Sequence, residues 1–213
     1  MVTSMPKLVA CVTIFNEEKF FWRWYENVSP YVDGFIFTQG KLRGVSFPAW
    51  KGWSTDETLF YLQGLQENDE RVRAIIHPLP DSDGWRTHEQ MQNAWLPWLG
   101  DGEYILKADL DEFWAPGALK KVISLLGKYD QIVPGWLHFW HNHKFAITDE
   151  TFKRWHPSGH ERVVRYHEGY HYCNHPTIHT SDHIDTFFDK SFTKFRIDDR
   201  IYHYGYCRLP EYW

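Results

Sequence analysis

The first 127 residues alternate short apolar runs with segments of helical periodicity. The run "LVACVTIF" at 8–15 is continuous and rich in β-branched residues, which is typical of a strand buried on both faces. Similar runs predict three further strands, at 34–40, 71–79 and 103–110. Apolar residues at helical spacing predict four helices, at 17–28, 54–66, 87–99 and 116–127.

Local signals indicate where some of these helices begin or break. Ser54 and Glu57 form a Ser-x-x-Glu pattern, which is typical of a capping box at a helix start. Pro116 stands at the beginning of the last predicted helix, where the first turn accepts proline. Pro97 predicts a break near the end of the third helix.

Strands that alternate with helices indicate βαβ units and a mostly parallel sheet. In such a sheet the carboxyl ends of the strands lie at one edge, where ligands bind. The Asn16-Glu17 turn, the loop after Phe37 and the segment 109–112 all follow predicted strands. We therefore expect them to converge on one site.

The pattern changes after residue 130. The segment 131–147 is dense in Trp and His and is typical of antiparallel strands, and 150–200 has little helical periodicity. We predict a single α/β domain over 1–213, with a regular half at 1–129 and a less regular half at 130–213.

Composition excludes several classes of protein. The 213 residues carry a net charge of −5 and no cluster of Lys and Arg longer than a pair, so nucleic acid is not an expected partner. No stretch of 18 apolar residues is present, so no membrane span is predicted. Cys11, Cys173 and Cys207 are odd in number and lack a CxxC spacing, which favours free thiols in a reducing compartment. We expect a cytoplasmic protein.

Asp109 and Asp111 lie at the end of the fourth predicted strand and flank Leu110. On an extended backbone their carboxylates point to the same side and repel each other, so Lys107, water or a cation must neutralise them. Mg²⁺ and Mn²⁺ prefer such oxygen ligands and commonly bridge to phosphates. A solvated turn is the alternative; the strand context and Glu112 favour a metal site.

The histidines give a weaker signal. His203 lies in a short aromatic strand, "RIYHYGYCR", where a packing role is the usual one. His141 and His143 form an HxH pair. A further five histidines recur at every fourth position: His167, His171, His175, His179 and His183. Gly169 and Pro176 argue against a single helix there, so we expect scattered loop histidines rather than a zinc site.

Thr13, Phe15 and Asn16 close the first strand, where a ligand is expected, and Phe15 offers a ring that can stack on a base. No GxGxxG or GxxxxGK[ST] motif follows this strand, so neither a dinucleotide fold nor a P-loop is indicated. A GxSxG nucleophile elbow is also absent from the sequence.

Together the motifs resemble the glycosyltransferase family 2-like group with a GT-A fold. Four segments resemble motifs of that group, namely "VACVTIFNEEKFFWRWYENV", "GWSTDET", "EQMQNAWLPWLGDGEYILKADLDEFW" and "IYHYGYCR". The resemblance covers most of 7–127 and the last dozen residues. It departs from the group at two places. Many members have an aspartate where this chain has Thr38-Gln39, and residues 40–51 look like an insertion between the second predicted strand and "GWSTDET".

The resemblance implies a Mn²⁺ or Mg²⁺ site and a nucleotide-sugar site. Asp111 would bind the metal directly, Asp109 would contact the ribose or the metal through water, and His203 would complete the metal sphere. The implied nucleotide-sugar contacts are Thr13, Phe15, Asn16, Glu17, Gln39, Arg86 and Asp109.

The implied activity is metal-dependent transfer of a sugar from a nucleotide-diphosphate sugar, with a UDP-sugar favoured, to a hydroxyl of a glycan, a lipid-linked sugar or a protein. The resemblance implies that Asp111 would take part in catalysis through the metal. An inverting reaction also needs a carboxylate base, and the candidates are Glu161, Glu168, Asp182 and Asp185, with Asp182 placed first. Two alternatives remain: a metal-dependent hydrolase or nuclease, and a non-catalytic module that binds a glycan or a protein.

Overall fold

The structure, a computed structural model, describes residues 5–44, 52–79, 82–140, 142–147, 161–174 and 177–206. The strands in these ranges are β1 (Leu8–Ile14), β2 (Gly34–Gln39), β3 (Val72–Ile76), β4 (Tyr104–Ala108), β5 (Glu112–Trp114), β6 (Gln131–Trp140), β7 (Asn142–Ala146), β8 (Val163–Arg165), β9 (His171–Asn174), β10 (Thr177–His179) and β11 (Lys194–Tyr206). The α-helices are α1 (Glu18–Val28), α2 (Thr58–Asn68), α3 (His88–Asn93) and α4 (Ala118–Leu125), and short 3₁₀ turns cover Ser29–Tyr31 and Leu96–Trp98.

Most strands belong to one sheet with the order β3-β2-β1-β4-β8-β6-β11-β5, and β7 is added beside β6. The block β3-β2-β1-β4 is parallel, and so is the pair β6-β11. The three-residue strand β8 runs antiparallel to both β4 and β6 and joins the two blocks. The predicted α/β class, with a mostly parallel sheet flanked by helices, is confirmed, and it agrees with a GT-A-type fold.

The sheet is curled. Three strands lie between β4 and β5 in the sheet, yet the chain needs only residues 109–111 to connect the two. Four strand spacings of about 4.8 Å amount to about 19 Å, whereas the chain from Ala108 to Glu112 spans at most about 14 Å. The sheet therefore bends until β5 approaches the end of β4, and the 109–111 segment closes the bend.

Strand β1 is buried on both faces, as its continuous apolar run predicts. Leu8, Ala10, Val12 and Ile14 belong to a core that also contains Phe21 and Trp24 of α1. Val9 and Cys11 face the opposite side, in a second core with Trp95, Tyr172 and Ile178. Every β1 side chain except that of Thr13 is apolar because helices or hairpins cover both sides of the sheet.

The predicted capping box at Ser54 and Glu57 is wrong. Helix α2 begins at Thr58, and the Asp56 carboxylate accepts a hydrogen bond from the Thr58 amide at 3.0 Å. The Ser54 hydroxyl instead accepts the Asn16 amide at 3.1 Å. A tertiary contact with the turn after β1 therefore outweighs the local pattern.

Other predictions differ in detail. The third predicted helix is confirmed only over α3, and Pro97 lies in the following 3₁₀ turn. The segment from Gln131 is antiparallel to β7 and β8, as predicted, but it is parallel to β11. Cys11 and Cys173 are free, whereas Cys207 lies outside the described residues. In the part of the chain that the structure describes, no helix combines the length and the apolar character needed to cross a membrane.

Asn27 attaches helix α1 to the sheet strand that follows the Asp-x-Asp segment. Its side-chain oxygen accepts the Trp114 amide at 2.8 Å, and its side-chain nitrogen donates to the Trp114 carbonyl at 3.1 Å. The amide of Asn27 thus pairs with both backbone groups of Trp114 as a neighbouring strand would. This contact fixes α1 against β5.

We expect Asn27→Ala to lower the free energy of unfolding by about 1–3 kcal/mol, because it leaves two part-buried backbone groups without partners. Urea unfolding followed by circular dichroism measures this loss. The matched control is Asn68→Ala at the exposed end of α2, where only the Gly64 carbonyl is contacted, and its expected change is within about 0.5 kcal/mol. Equal effects of the two substitutions would contradict the role of Asn27.

Candidate functional site

A cleft with a volume of about 300 Å³ opens at the carboxyl ends of β1 and β4. Six of the predicted site residues line it, namely Thr13, Phe15, Glu17, Asp109, Asp111 and His203. Lys41 and His88 line it as well and were not predicted. The expectation that the strand ends converge on one site is therefore confirmed for β1, for β4 and for the segment that begins at Gly40, directly after β2.

Asp109 is held by two protein groups. One carboxylate oxygen accepts the Thr13 hydroxyl at 3.0 Å, and the other accepts from the Arg162 guanidinium at 3.3 Å. The side chain remains 40% exposed. Asp109 is thus oriented toward the cleft by β1 on one side and by the residue before β8 on the other.

Asp111 lies close to His203, although 92 positions separate them in the sequence. The Asp111 carboxylate is 3.8 Å from Nε2 of His203, and the Tyr204 amide donates to the Asp111 carbonyl at 2.9 Å. The register places His203 opposite Glu112 in the antiparallel pair of β11 and β5. The curl of the sheet therefore brings the late histidine to the Asp-x-Asp segment.

A second histidine orients His203. Nδ1 of His138 lies 2.8 Å from Nδ1 of His203, so one of the two rings donates a proton to the other. The His138 ring stacks on Trp136 with the ring centroids 5.3 Å apart. Metal-binding imidazoles usually have their second ring nitrogen held by a hydrogen bond in this way. His138 was missed because its role depends on the parallel pairing of β6 with β11.

Arg162 is the most important residue that the sequence analysis missed. Its guanidinium is buried, forms an ion pair with Glu112, contacts Asp109, and lies 4.7 Å from the centre of the Trp136 ring. Its carbonyl accepts the Lys107 amide at 2.8 Å, which extends the pairing of β4 with β8. The sequence signal that could have indicated Arg162 is its position as a charged residue directly before the apolar pair Val163-Val164.

The charges below the cleft are buried together. Burial raises the pKa of Glu112 to about 8, and Arg162 opposes this rise. Burial also lowers the pKa of Lys107 to about 7, and the nearby Arg162 lowers it further. The Lys107 ammonium lies 5.6 Å from the centre of the Tyr172 ring. The stability of buried charges of this kind depends on their partners, because removing one partner leaves the other as an uncompensated charge in the protein interior.

The remaining four predicted residues do not line the cleft. Asn16 adopts a left-handed conformation with φ of 53° and accepts the Thr55 amide at 2.8 Å. Gln39 is fully buried between Ser54 and His77. Arg86 and Asp182 are exposed, and neither is among the residues that line the cleft.

Lys41 lines the cleft, and the position of its backbone requires a glycine at position 84. Its ammonium pairs with Asp83 at 2.9 Å. Its carbonyl accepts the Trp85 amide, and a Cβ at Gly84 would lie 2.3 Å from that same carbonyl oxygen. A side chain at 84 would displace Lys41, so this glycine is required. Residues 45–51 of the predicted insertion lie outside the described residues.

The donor set fits a hard divalent cation that is also bound by phosphate. Asp111 and His203 offer an oxygen and a nitrogen 3.8 Å apart, while both oxygens of Asp109 already have protein partners. Mg²⁺ is typically bound by one or two carboxylates together with substrate phosphates. The three groups do not form a closed three-ligand cluster within the described residues.

No family model and no curated protein matches the sequence. Solved structures that are similar include S. aureus TarS 1–349 in complex with UDP-GlcNAc, at 15% identity over 69% of this chain and 38% of that chain, with a TM-score of 0.47. The UDP complex of the same protein has 15% identity over 69% and 39%, with a TM-score of 0.47. A further TarS 1–349 structure has 16% identity over 62% and 36%, with a TM-score of 0.45. The chain thus spans less than two-fifths of the length of TarS 1–349.

We expect Arg162→Met to reduce stability, and to do so increasingly above pH 8. A carboxyl whose pKa is higher in the folded than in the unfolded state binds its proton more tightly when folded, so stability falls with rising pH until the folded pKa is passed. In the variant, Glu112 loses the cation that opposes the rise of its pKa. The free energy of unfolding therefore continues to fall beyond pH 8. Removal of Arg162 also raises the pKa of Lys107, which acts in the same direction.

Urea unfolding of wild type and variant at pH 6, 8 and 9 measures this effect. The expected additional deficit between pH 8 and 9 is up to about 1.4 kcal/mol for each of the two groups, Glu112 and Lys107. Arg23→Met, at an exposed position of α1, is the matched control and should show no such slope. A deficit of Arg162→Met that does not change with pH would contradict the coupling to Glu112.

Proposed function

We propose that the protein is a metal-dependent glycosyltransferase that uses a nucleotide-diphosphate sugar, with UDP-sugars as the donor class, and a hydroxyl acceptor. The observation that carries the proposal is the position of Asp109, Asp111 and His203 in one cleft at the carboxyl ends of parallel strands. This is the edge at which α/β sheets bind nucleotides. The motif order described above supports the same activity.

The walls of the cleft suit a nucleotide donor. Phe15 is half-buried and offers a ring for a base, and Thr13 and Glu17 lie beside it. Asp109 is oriented by Thr13 and Arg162 so that its exposed side can accept from a ribose hydroxyl. Lys41 also lines the cleft, with its ammonium paired to Asp83.

Asp111 and His203 are the proposed ligands of Mn²⁺ or Mg²⁺, with His138 fixing the His203 ring. The cation, when bound, supplies a Lewis acid that neutralises the charge developing on the diphosphate leaving group. The protein contributes orientation: the antiparallel pairing of β5 with β11 fixes the Asp111–His203 spacing, and Arg162 keeps Asp109 and Glu112 in place.

Asp182 is the proposed base that takes the proton from the acceptor hydroxyl in an inverting reaction. The carboxylates of Glu161 and Asp185 are engaged, since Glu161 accepts the Ile178 amide and Asp185 accepts the Thr177 hydroxyl. Asp182 and Glu168 are exposed. An exposed carboxylate can reach an acceptor hydroxyl without breaking a structural hydrogen bond.

We expect Asp111→Asn to abolish metal-stimulated donor binding and to lower turnover at least about 100-fold, because it removes the charge that retains the cation. Calorimetry with UDP-, GDP- and CDP-sugars, in Mn²⁺ and in EDTA, measures binding; UDP-GlcNAc, which is bound in one TarS structure, belongs to the panel. Asp198→Asn, at an exposed position of β11, is the matched control.

The same measurements distinguish the alternatives. Donor binding that is equal in Mn²⁺ and EDTA, or absent for every donor, would contradict the proposal. Turnover of phosphoesters without any sugar nucleotide would indicate a hydrolase or nuclease. A nucleotide affinity that Asp111→Asn leaves unchanged would indicate a non-catalytic module.

We expect Asp182→Asn to reduce sugar transfer while donor affinity stays unchanged, because the base acts on the acceptor and not on the nucleotide. Nucleotide release in the presence of a mixture of glycan, lipid-linked and peptide acceptors measures transfer. Glu168→Gln is the matched comparison. A reduction in Glu168→Gln and not in Asp182→Asn would assign the base to Glu168 instead.

A further inference from the structure

We propose that the chain has a zinc site outside the cleft, formed by His171, Cys173 and His183. These residues belong to β9 and to the turn that follows β10, and none of them lines the cleft. The proposal does not depend on the proposed transferase activity.

The ligand atoms of the three residues converge. Nε2 of His171 lies 3.0 Å from Nδ1 of His183, and the Cys173 sulfur lies 3.7 Å from that same nitrogen. All three ligand atoms lie within 4.8 Å of one another. Zn–N and Zn–S bonds of about 2.0 and 2.3 Å in a tetrahedron place two nitrogens about 3.3 Å apart and a nitrogen and a sulfur about 3.5 Å apart. Small side-chain rotations would therefore suffice to enclose a zinc ion.

The backbone explains why these residues meet. His171 and Cys173 are two positions apart on β9, so they share a face of the strand. Tyr172 points to the other face and is buried in the second core, where its partner Ile178 also lies. The buried Tyr172 thus keeps the histidine and cysteine on the outer face of the β9–β10 hairpin, where Cys173 is exposed.

His183 reaches this face through an unusual turn. It adopts a left-handed conformation with φ of 62°, which is uncommon for residues other than glycine. The turn is closed by hydrogen bonds from the Thr180 amide to Ile184 and from the His183 amide to Thr180, of 2.9 and 3.0 Å. A histidine held in this conformation at the cluster is consistent with a ligand-binding role.

The chemistry of the cluster favours zinc over the cation proposed for the cleft. One thiolate and two imidazoles are soft and borderline ligands, which suit Zn²⁺, whereas Mg²⁺ and Mn²⁺ prefer oxygen. His179 lies directly opposite His171 on β10. Its Nδ1 is buried, and no described residue forms a hydrogen bond with it. His179 does not belong to the three-residue cluster, so a water molecule would fill the fourth position. His175 of the same series lies outside the described residues.

Zinc content of the full chain, purified without a histidine tag, tests the site. After incubation with Zn²⁺ and dialysis, mass spectrometry of the metal should give about one zinc per chain in the wild type. Cys173→Ala and His183→Ala should each lower zinc affinity at least tenfold. Asp111→Asn should retain the zinc of the wild type, and so should His167→Ala, whose histidine contacts Asp101 instead.

Cobalt substitution identifies the ligand directly. Co²⁺ bound to a thiolate has a near-ultraviolet charge-transfer absorption, which should be present in the wild type and in Asp111→Asn and absent in Cys173→Ala. Far-ultraviolet circular dichroism shows that each variant is folded, which is expected because Cys173 and His183 are exposed.

Three results would overturn the proposal. One is a wild-type zinc affinity no higher than that of Cys173→Ala. Another is loss of zinc in Asp111→Asn with retention in Cys173→Ala, which would place the ion in the cleft. The third is a cobalt complex of the wild type that lacks thiolate absorption.

Discussion

The arrangement of the site depends on one geometric constraint: residues 109–111 must connect two strands between which three other strands lie. The short connection forces the sheet to curl, and the curl brings the starts of β5 and β8 and the late part of β11 around the end of β4. Buried charges then need partners inside the bend. Arg162 provides them, since it contacts both Asp109 and Glu112. The carboxylates of the Asp-x-Asp segment are thus positioned by the closure of the sheet and not by the local sequence.

Much of the regular half could be predicted, because its signals are local. The run 8–15 is apolar at every position except Thr13 since both faces of β1 are covered, and that pattern alone indicates a central strand. Asp109 and Asp111 could be predicted as acids at the end of a buried strand, although strand alternation does not place them, because β4 ends at Ala108 and the Glu112 amide closes a turn with the Asp109 carbonyl at 3.1 Å. Their arrival in one cleft with Thr13 follows from parallel topology.

The rest depends on contacts that no local pattern records. Arg162 acquires its role because β8 inserts between β4 and β6, and His138 acquires its role because β6 pairs with β11. The Ser54 prediction is wrong for the same reason, since the turn at Asn16 binds that hydroxyl. His171 and His183 belong to a series with a period of four, a spacing typical of a helix; a hairpin and a left-handed turn bring them together instead.

The β9–β10 hairpin also influences the cleft, because the inner face of β9 carries Tyr172, whose ring covers the Lys107 ammonium. Tyr172 excludes water from a lysine whose pKa is lowered chiefly by burial. The hairpin therefore keeps the permittivity low below the Asp-x-Asp segment. If it lifted away, solvent would raise the permittivity around Lys107 and Arg162 and so weaken their electrostatic interaction with Asp109. The hairpin thus shields the buried charges of the site from solvent.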